Sequence, residues 1–171
     1  MKINFVKTVV LIFFAVAIFA CKEDNFEKLR QNELEKLSEY LEENFPDIKS
    51  QPSGLFYIEV EEGTGDTIQP GDRIQIFYST WTIDSVLIDE TQGYTNGHKY
   101  DPYEFVVGQG NAITGLEEAA TYMQKGTKAH LILPSELAYG QNGTVGVAGF
   151  TTLLMEVEVH KIYQAQTPGE Q

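Results

Sequence analysis

Residues 102–126 read PYEFVVGQGNAITGLEEAATYMQKG and place one strand directly before one helix. Aromatic and β-branched residues predict the strand, over Tyr103–Val107. Apolar residues at helical spacing predict the helix, over Ile113–Gln124. The residues expected on its apolar side are Ile113, Leu116, Ala120 and Met123. Gly126 is well placed to stop this helix.

The segments on either side of this stretch have the pattern of strands. In Arg73–Asp84, the residues Ile74, Ile76 and Tyr78 fall on one face. Other predicted strands are Leu55–Val60, Thr127–Leu133 and Leu153–Ile162, with turns at Gly63–Asp66 and Pro70–Asp72. One helix among several antiparallel strands predicts an α+β fold. We expect the helix to lie across the concave side of the sheet.

The charge balance is strongly acidic, with 12 Lys and Arg against 25 Asp and Glu and a formal net charge of −13. A phosphate backbone is bound through Lys and Arg, so this composition excludes nucleic acid as the expected partner. Residues 51–163 are long enough to bury one hydrophobic core and form one domain. We expect residues 164–171 to be a flexible C-terminal tail.

The first twenty residues have the organisation of a bacterial export signal. Lys2 and Lys7 flank an apolar run, Val9–Ala20, that is too short to span a bilayer. The following Ile18-Phe19-Ala20-Cys21 resembles the lipobox of bacterial lipoproteins, which implies cleavage after residue 20 and acylation of Cys21, the single cysteine. An ordinary secretory peptide or a poor membrane anchor is the alternative. Removal of Lys2 and Lys7 leaves 10 basic and 25 acidic residues, a formal charge of −15.

Residues 21–50 are predicted to form a tether that contains an amphipathic helix. Its apolar stripe is Phe26, Leu29, Leu34, Leu37, Leu41 and Phe45. Asp24 is a candidate N-cap, and Pro46 ends the helix. The helix is interpreted either as a dimerisation helix or as a spacer that docks its stripe on the following domain. The spacer is favoured because the stripe is too short for a self-sufficient coiled coil.

Conventional catalytic motifs are missing from the sequence. The cysteine is assigned to the lipid, and no two of His98, His130 and His160 have metal-ligand spacing. Gly108-Gln109-Gly110 completes neither a dinucleotide-binding fingerprint nor a P-loop. We therefore expect neither a metal nor any other cofactor.

Rotation about an X–Pro bond is one reaction that needs neither a nucleophile nor a metal. Its barrier is about 18–20 kcal/mol, and uncatalysed rotation takes tens to hundreds of seconds. The planar amide is polar through resonance and loses that polarity when it is twisted. An apolar pocket therefore disfavours the ground state more than the transition state.

Four ordered blocks resemble the FKBP-type peptidyl-prolyl isomerases. They are Pro102–Gly108, Ile113–Ala119, Leu137–Gly140 and Thr152–Val159, within a similarity from about Gly63 to Ile162. The resemblance implies a strongly bent antiparallel sheet wrapped around one short helix. It also implies an isomerase whose partners are proline-containing polypeptides.

Three residues would act on the substrate if the resemblance is carried over position by position. Tyr78 corresponds to the family's pocket tyrosine, and Asp89 to the acid of its Phe-Asp pair. Tyr139 corresponds to the hydroxyl donor that would hold a substrate carbonyl near the proline.

A further set would form the substrate-binding surface. Tyr103 and Phe105 supply the aromatic wall or the core beneath it, and backbone groups near Ala112 and Ile113 would contact the ligand. Leu116 takes the place of a floor tryptophan, and Met155 that of a wall phenylalanine. The remaining members are Ile88, in the Phe-Asp pair, and Val147, in the loop after Tyr139. Taken singly, Ile113, Leu116 and Met155 are also typical of a core.

Leu116, Ile88 and Met155 stand where the family has a tryptophan and two phenylalanines. The loss of these three large rings predicts a wider and softer pocket. The leading hypothesis is an isomerase that assists folding of exported proteins, anchored through lipid to the cell envelope, in the outer membrane of a Gram-negative bacterium. The alternatives are a non-catalytic chaperone or partner-binding lipoprotein, possibly within a motility or secretion complex, and an inert spacer. Tyrosines in the loop at 94–100 are predicted to contact a client chain. The oligomeric state stays open.

Overall fold

The computed structural model describes residues 25–91 and 101–165. Helix α1 covers residues 25–44, and helix α2 covers Thr114–Ala120. A 3-10 turn covers Ser135–Leu137. The strands are β1 Phe56–Glu61, β2 Arg73–Thr82, β3 Leu87–Glu90, β4 Tyr103–Val106, β5 Lys128–Leu133 and β6 Leu153–Tyr163. Within the described ranges, no helix is both long and apolar enough to cross a membrane.

All six strands belong to one antiparallel sheet in the order β1-β5-β6-β2-β3. Thr82, the last residue of β2, pairs with Leu153, the first residue of β6. Strands β3 and β4 share the other edge of β2, with β4 beside residues 73–76 and β3 beside residues 79–81. The predicted α+β class is confirmed.

Helix α2 packs closely on the sheet. Its residues Leu116, Ala119 and Ala120 are buried in the hydrophobic core. A Cβ added at Gly115 would lie 2.5 Å from Leu133 Cδ2 and 3.2 Å from the Leu137 carbonyl oxygen. A side chain here would have to displace Leu133 or Leu137, so glycine favours the close approach of α2 to the end of β5 and to the 3-10 turn.

Two element boundaries differ from the sequence prediction by more than one residue. Helix α2 ends at Ala120 rather than Gln124, because Tyr122 and Met123 donate their N–H groups three residues back and tighten the chain into turns. Strand β2 ends at Thr82, where a turn through Ser85 at φ 63° begins. That turn leads into β3, a short and mostly exposed strand that the sequence pattern did not predict.

Helix α1 packs on the domain, and its role as a spacer stays a prediction. Its buried residues are Glu33 and Leu37. Leu29 and Leu34 were predicted in the apolar stripe, but they are 42% and 40% exposed. The face of α1 that contacts the domain carries Glu33 instead. The Glu33 carboxylate accepts hydrogen bonds from Ser135 and Thr152 of the domain. Dimerisation stays a prediction, and the candidate cap Asp24 lies outside the described residues.

Candidate active site

A small cavity of about 90 Å³ opens where several elements meet. Its walls come from β2, β3, β4, β6, the start of α2 and the connection between β5 and β6. The lining residues are Tyr78, Thr80, Ile88, Asp89, Tyr103, Ile113, Leu116, Tyr139, Leu153 and Met155. Drug-sized ligand pockets measure about 300–1,000 Å³, so this cavity suits a single side chain or ring.

A tyrosine–carboxylate pair lies on one wall. The Tyr78 hydroxyl donates to Asp89 Oδ2 at 2.6 Å. Antiparallel pairing of β2 with β3 brings the two residues together, since Thr80 lies directly opposite Asp89. Burial, and then the bond to the Asp89 carboxylate, raise the pKa of Tyr78 well above its usual value. The phenol is therefore neutral at physiological pH and fixed in orientation.

The neighbouring wall is built from stacked rings. Tyr103 meets Tyr78 edge to face at a centroid distance of 5.8 Å, and stacks on Phe105 at 5.5 Å. The Tyr103 hydroxyl donates to the Asn111 carbonyl oxygen at 2.8 Å, which ties the ring to the segment before α2. Phe105 is buried in the core and supports the wall from beneath.

The segment before α2 is held by the Glu117 carboxylate. It accepts the N–H groups of Gly108 at 3.0 Å and Ala112 at 3.2 Å. The Ala112 N–H is therefore occupied within the fold. Ile113, the next residue, is the extended N-cap of α2 and lines the cavity. Its N–H makes no hydrogen bond to the residues that the structure describes.

Tyr139 lies at the mouth of the cavity. Its side chain is 38% exposed, and its hydroxyl has no hydrogen-bond partner in the described part of the chain. It is near enough to contribute, after burial and Glu117, to the raised pKa of Tyr103. Its hydroxyl is free to donate to a carbonyl group of a bound peptide.

The floor of the cavity is apolar. Leu116, Leu153 and Met155 are all buried, and Thr80 beside them is 5% exposed. Such a surface offers no compensation for the dipole of a planar amide. The arrangement combines an apolar floor with three tyrosines and one exposed carboxylate at the rim.

Most of the predicted site residues meet at this cavity. Those that line it are Tyr78, Ile88, Asp89, Tyr103, Ile113, Leu116, Tyr139 and Met155. Phe105 lies beneath the wall, and Ala112 lies beside the lining without entering it. Their individual roles stay predictions.

Val147 is not at this cavity, although the sequence placed it on the substrate-binding surface. Its side chain is buried in the core, and it also lines a second cavity of about 180 Å³ beside α1. A backbone pairing of Val147 with Thr144 closes the loop and directs it there. Cys21 and the loop at 94–100 lie outside the described residues.

Sequence reasoning missed two lining residues, Thr80 and Leu153. Each lies two positions from a predicted residue on the same strand, Thr80 from Tyr78 and Leu153 from Met155. Side chains two apart share a face of a strand, so the period of two could have identified both.

A larger depression of about 340 Å³ lies along β2, β5 and β6. Lys128, His130, Glu156 and Glu158 line it. Because this depression is wide open and carries these titratable side chains among its lining residues, it does not supply the apolar enclosure found at the smaller cavity. No group of His, Cys, Asp and Glu within residues 25–91 and 101–165 could hold a metal ion.

Residues 65–160 match the family model of the FKBP-type peptidyl-prolyl cis-trans isomerase. The chain belongs to this family. It is 35% identical over 126 residues to the FKBP-type 22 kDa peptidyl-prolyl cis-trans isomerase of Escherichia coli, a match that covers 72% of this chain and 58% of that protein. It is 31% identical over 112 residues to an FK506-binding protein of Neisseria meningitidis, covering 65% of this chain and 98% of the relative.

Solved structures show the same FKBP fold. FkpA from Escherichia coli aligns with a TM-score of 0.70 and 29% identity, over 92% of this chain and 71% of that one. A peptidyl-prolyl cis-trans isomerase from Pseudomonas syringae aligns with a TM-score of 0.67 and 24% identity, over 81% of this chain and 96% of that one. The bent sheet and short helix are therefore those of the FKBP family.

Proposed function

We propose that this chain catalyses cis-trans isomerisation of X–Pro bonds in exported polypeptides at the cell envelope. The observation that carries the proposal is the convergence of Tyr78, Asp89, Leu116, Tyr139 and Met155 on one small cavity with an apolar floor. Membership of the FKBP family supports the same reaction class. Clients would be unfolded or partly folded chains that present an accessible proline.

The proposed mechanism is non-covalent. A proline ring enters the cavity and contacts Leu116 and Met155. This binding removes water from around the imide bond. The planar ground state then loses solvation of its dipole, whereas the twisted transition state, with its weaker dipole, loses less. No bond is broken and no proton is transferred.

Two donors would hold the peptide while the bond turns. The Tyr139 hydroxyl and the Ile113 N–H are both unoccupied within the described structure and lie on the cavity wall. Each would bind a substrate carbonyl oxygen, which fixes the chain on both sides of the rotating bond. Tyr78, held by Asp89, would give the proline ring a rigid aromatic side wall.

A protease-free proline-peptide assay on residues 22–171 tests the catalytic proposal. We expect an isomerisation rate above background that is linear in protein concentration, for several residues before proline. The aliphatic floor predicts a modest rate, because Leu and Met make fewer fixed contacts with a proline ring than an aromatic side chain does. A rate equal to background for every peptide would refute catalysis.

A non-catalytic chaperone is the second candidate. The same aliphatic floor favours it, because a soft pocket can hold a chain without turning the bond efficiently. Refolding of a protein with native cis prolines separates the two functions. An isomerase accelerates the proline-limited phase at substoichiometric amounts, whereas a chaperone suppresses aggregation in proportion to its concentration.

We further propose that Cys21 carries lipid and that this lipid anchors the domain to the outer membrane of a Gram-negative cell. The apolar run and the Ile18-Phe19-Ala20-Cys21 pattern support this proposal. Multiple acyl chains hold a protein stably, whereas a single chain does so only marginally. Mass spectrometry of the N-terminal peptide should show a lipidated cysteine, and Cys21→Ala should abolish the modification. An unmodified cysteine in the membrane fraction would contradict the proposal.

A further inference from the structure

One buried carboxylate from α1 holds both ends of the β5–β6 connection, residues 134–152. Glu33 Oε1 accepts the Ser135 N–H at 2.6 Å and the Thr152 hydroxyl at 3.0 Å. Glu33 Oε2 accepts the Ser135 hydroxyl at 2.7 Å and Arg30 Nη1 at 2.8 Å. Its side chain is only 1% exposed. A carboxylate has about four acceptor sites, and all of them are filled here.

The two ends are far apart in sequence but fixed by the same group. Ser135 follows the end of β5 closely, and Thr152 directly precedes β6. Two other contacts join α1 to the same connection. Arg30 forms an ion pair with Glu136, and the rings of Phe26 and Phe150 lie 5.9 Å apart.

The anchored residues are bonded directly to the backbone around Tyr139. The Ser135 carbonyl oxygen accepts the N–H groups of Ala138 at 2.9 Å and Gly140 at 2.8 Å, the two residues that flank Tyr139. The Phe150 N–H in turn donates to the Gly140 carbonyl oxygen at 3.0 Å. A continuous path of hydrogen bonds therefore runs from Glu33 through Ser135 to the backbone that carries the Tyr139 hydroxyl.

We infer that Glu33 is a positioning residue that sets the place of Tyr139 at the cavity mouth, and that α1 is part of the working isomerase unit. This inference rests on the proposed function, because Tyr139 matters only if a peptide is bound there. Loss of the carboxylate frees two ends of a loop and leaves Ser135 and Thr152 without their acceptor. The Tyr139 hydroxyl then samples more positions, and fewer of them reach the substrate.

A double-mutant cycle in the full chain, purified in mild detergent, tests the path. Glu33→Ala, Tyr139→Phe and the double variant are compared by kcat/KM, with Glu35→Ala as the matched control because Glu35 is an exposed acid on the same helix. We expect Glu33→Ala to lower kcat/KM about three- to tenfold in the original chain. We expect less than about a 1.5-fold effect when Tyr139→Phe is already present. Glu35→Ala should change neither value.

Amide hydrogen exchange gives a second readout that does not depend on activity. Glu33→Ala should speed exchange at Ala138 and Gly140 by about tenfold or more, while amides in β6, such as Val157, keep the exchange rates of the original chain. Should Glu33→Ala fail to fold, Glu33→Gln and Thr152→Val carry the same two measurements. Each removes only part of the hydrogen-bond set.

The inference is supported if Glu33→Ala speeds amide exchange only within the connection and if the effects of Glu33→Ala and Tyr139→Phe on kcat/KM are non-additive. Unchanged exchange at Ala138 and Gly140 would overturn it, and so would equal losses of kcat/KM with and without the Tyr139 hydroxyl. A chain without any isomerase activity would refute the proposed function instead. In that case, the exchange result alone decides whether Glu33 holds the Tyr139 backbone.

Discussion

Removal of the Tyr139 hydroxyl should reduce turnover without changing the fold. The hydroxyl makes no hydrogen bond within the described residues, and the ring is 38% exposed, so Tyr139→Phe takes nothing from the folded state. We expect the free energy of unfolding to change by less than about 0.5 kcal/mol. One neutral hydrogen bond to substrate contributes about 0.5–1.5 kcal/mol. That range corresponds to a loss of about two- to tenfold in kcat/KM.

The measurement compares kcat/KM for a proline peptide with the midpoint of urea unfolding. Tyr163→Phe is the matched control, because Tyr163 has nearly the same exposure, 39%, but lies at the end of β6 outside the cavity lining. The control should keep both values. If Tyr139→Phe matched the control in kcat/KM, the proposed substrate bond would be refuted; a clear loss of stability would refute the claim that the hydroxyl has no structural role.

Three further predictions concern the cavity and its support. The raised pKa of Tyr78 means that the folded state holds the phenol proton more tightly than the unfolded state; its contribution to stability is complete below about pH 10 and is lost as pH rises through the folded pKa. In Asp89→Asn, phenolate absorbance should show that Tyr78 titrates at a lower pH than in the original chain. The titration should still lie above the usual pH for tyrosine, because burial is the larger cause of the raised pKa. An unchanged titration would contradict the contribution of the Asp89 hydrogen bond. Gly115→Ala should lower the melting temperature, because overpacking against buried Leu133 costs about 1–3 kcal/mol against a helix-propensity gain of about 1 kcal/mol, and a higher melting temperature would contradict this. Leu116→Ala should cost about 2–5 kcal/mol in urea unfolding, since it removes a buried floor residue, and a loss below 1 kcal/mol would mean that the floor is loosely packed.

Much of the fold could be predicted from local pattern. The period-two alternation in β2 and the apolar side of α2 identify elements whose side chains pack directly on the core, so hydrophobic burial and sequence pattern agree there. The strand β3 was missed because it is short and mostly exposed, and its pairing with β2 does not depend on a buried face. The early end of α2 depends on hydrogen bonds in the turn after Ala120, which apolar spacing does not encode.

The candidate site could be predicted where residues match family motifs and less well where tertiary contacts decide. Tyr78, Asp89 and Tyr139 come from three separate segments, and only their ordered resemblance indicated that they share a cavity. Val147 was misplaced because a loop can turn its apolar side chain to either side without changing its sequence pattern. The burial of Glu33 could not be predicted, because an acid within an acidic helix normally faces water. Its burial is favourable because the distant Ser135 and Thr152, together with Arg30, donate hydrogen bonds to its carboxylate.

The arrangement of partners around β2 has a consequence for how the molecule can change. Asp89 in β3 and Tyr103 in β4 are each held by their own pairing with the same edge of β2. Both cavity walls therefore have a backbone pairing with β2 within the described residues. We therefore expect changes of sequence at residues 92–100 to leave the pairing of Asp89 and Tyr103 with β2 intact, so that the proposed site can be kept while that segment varies.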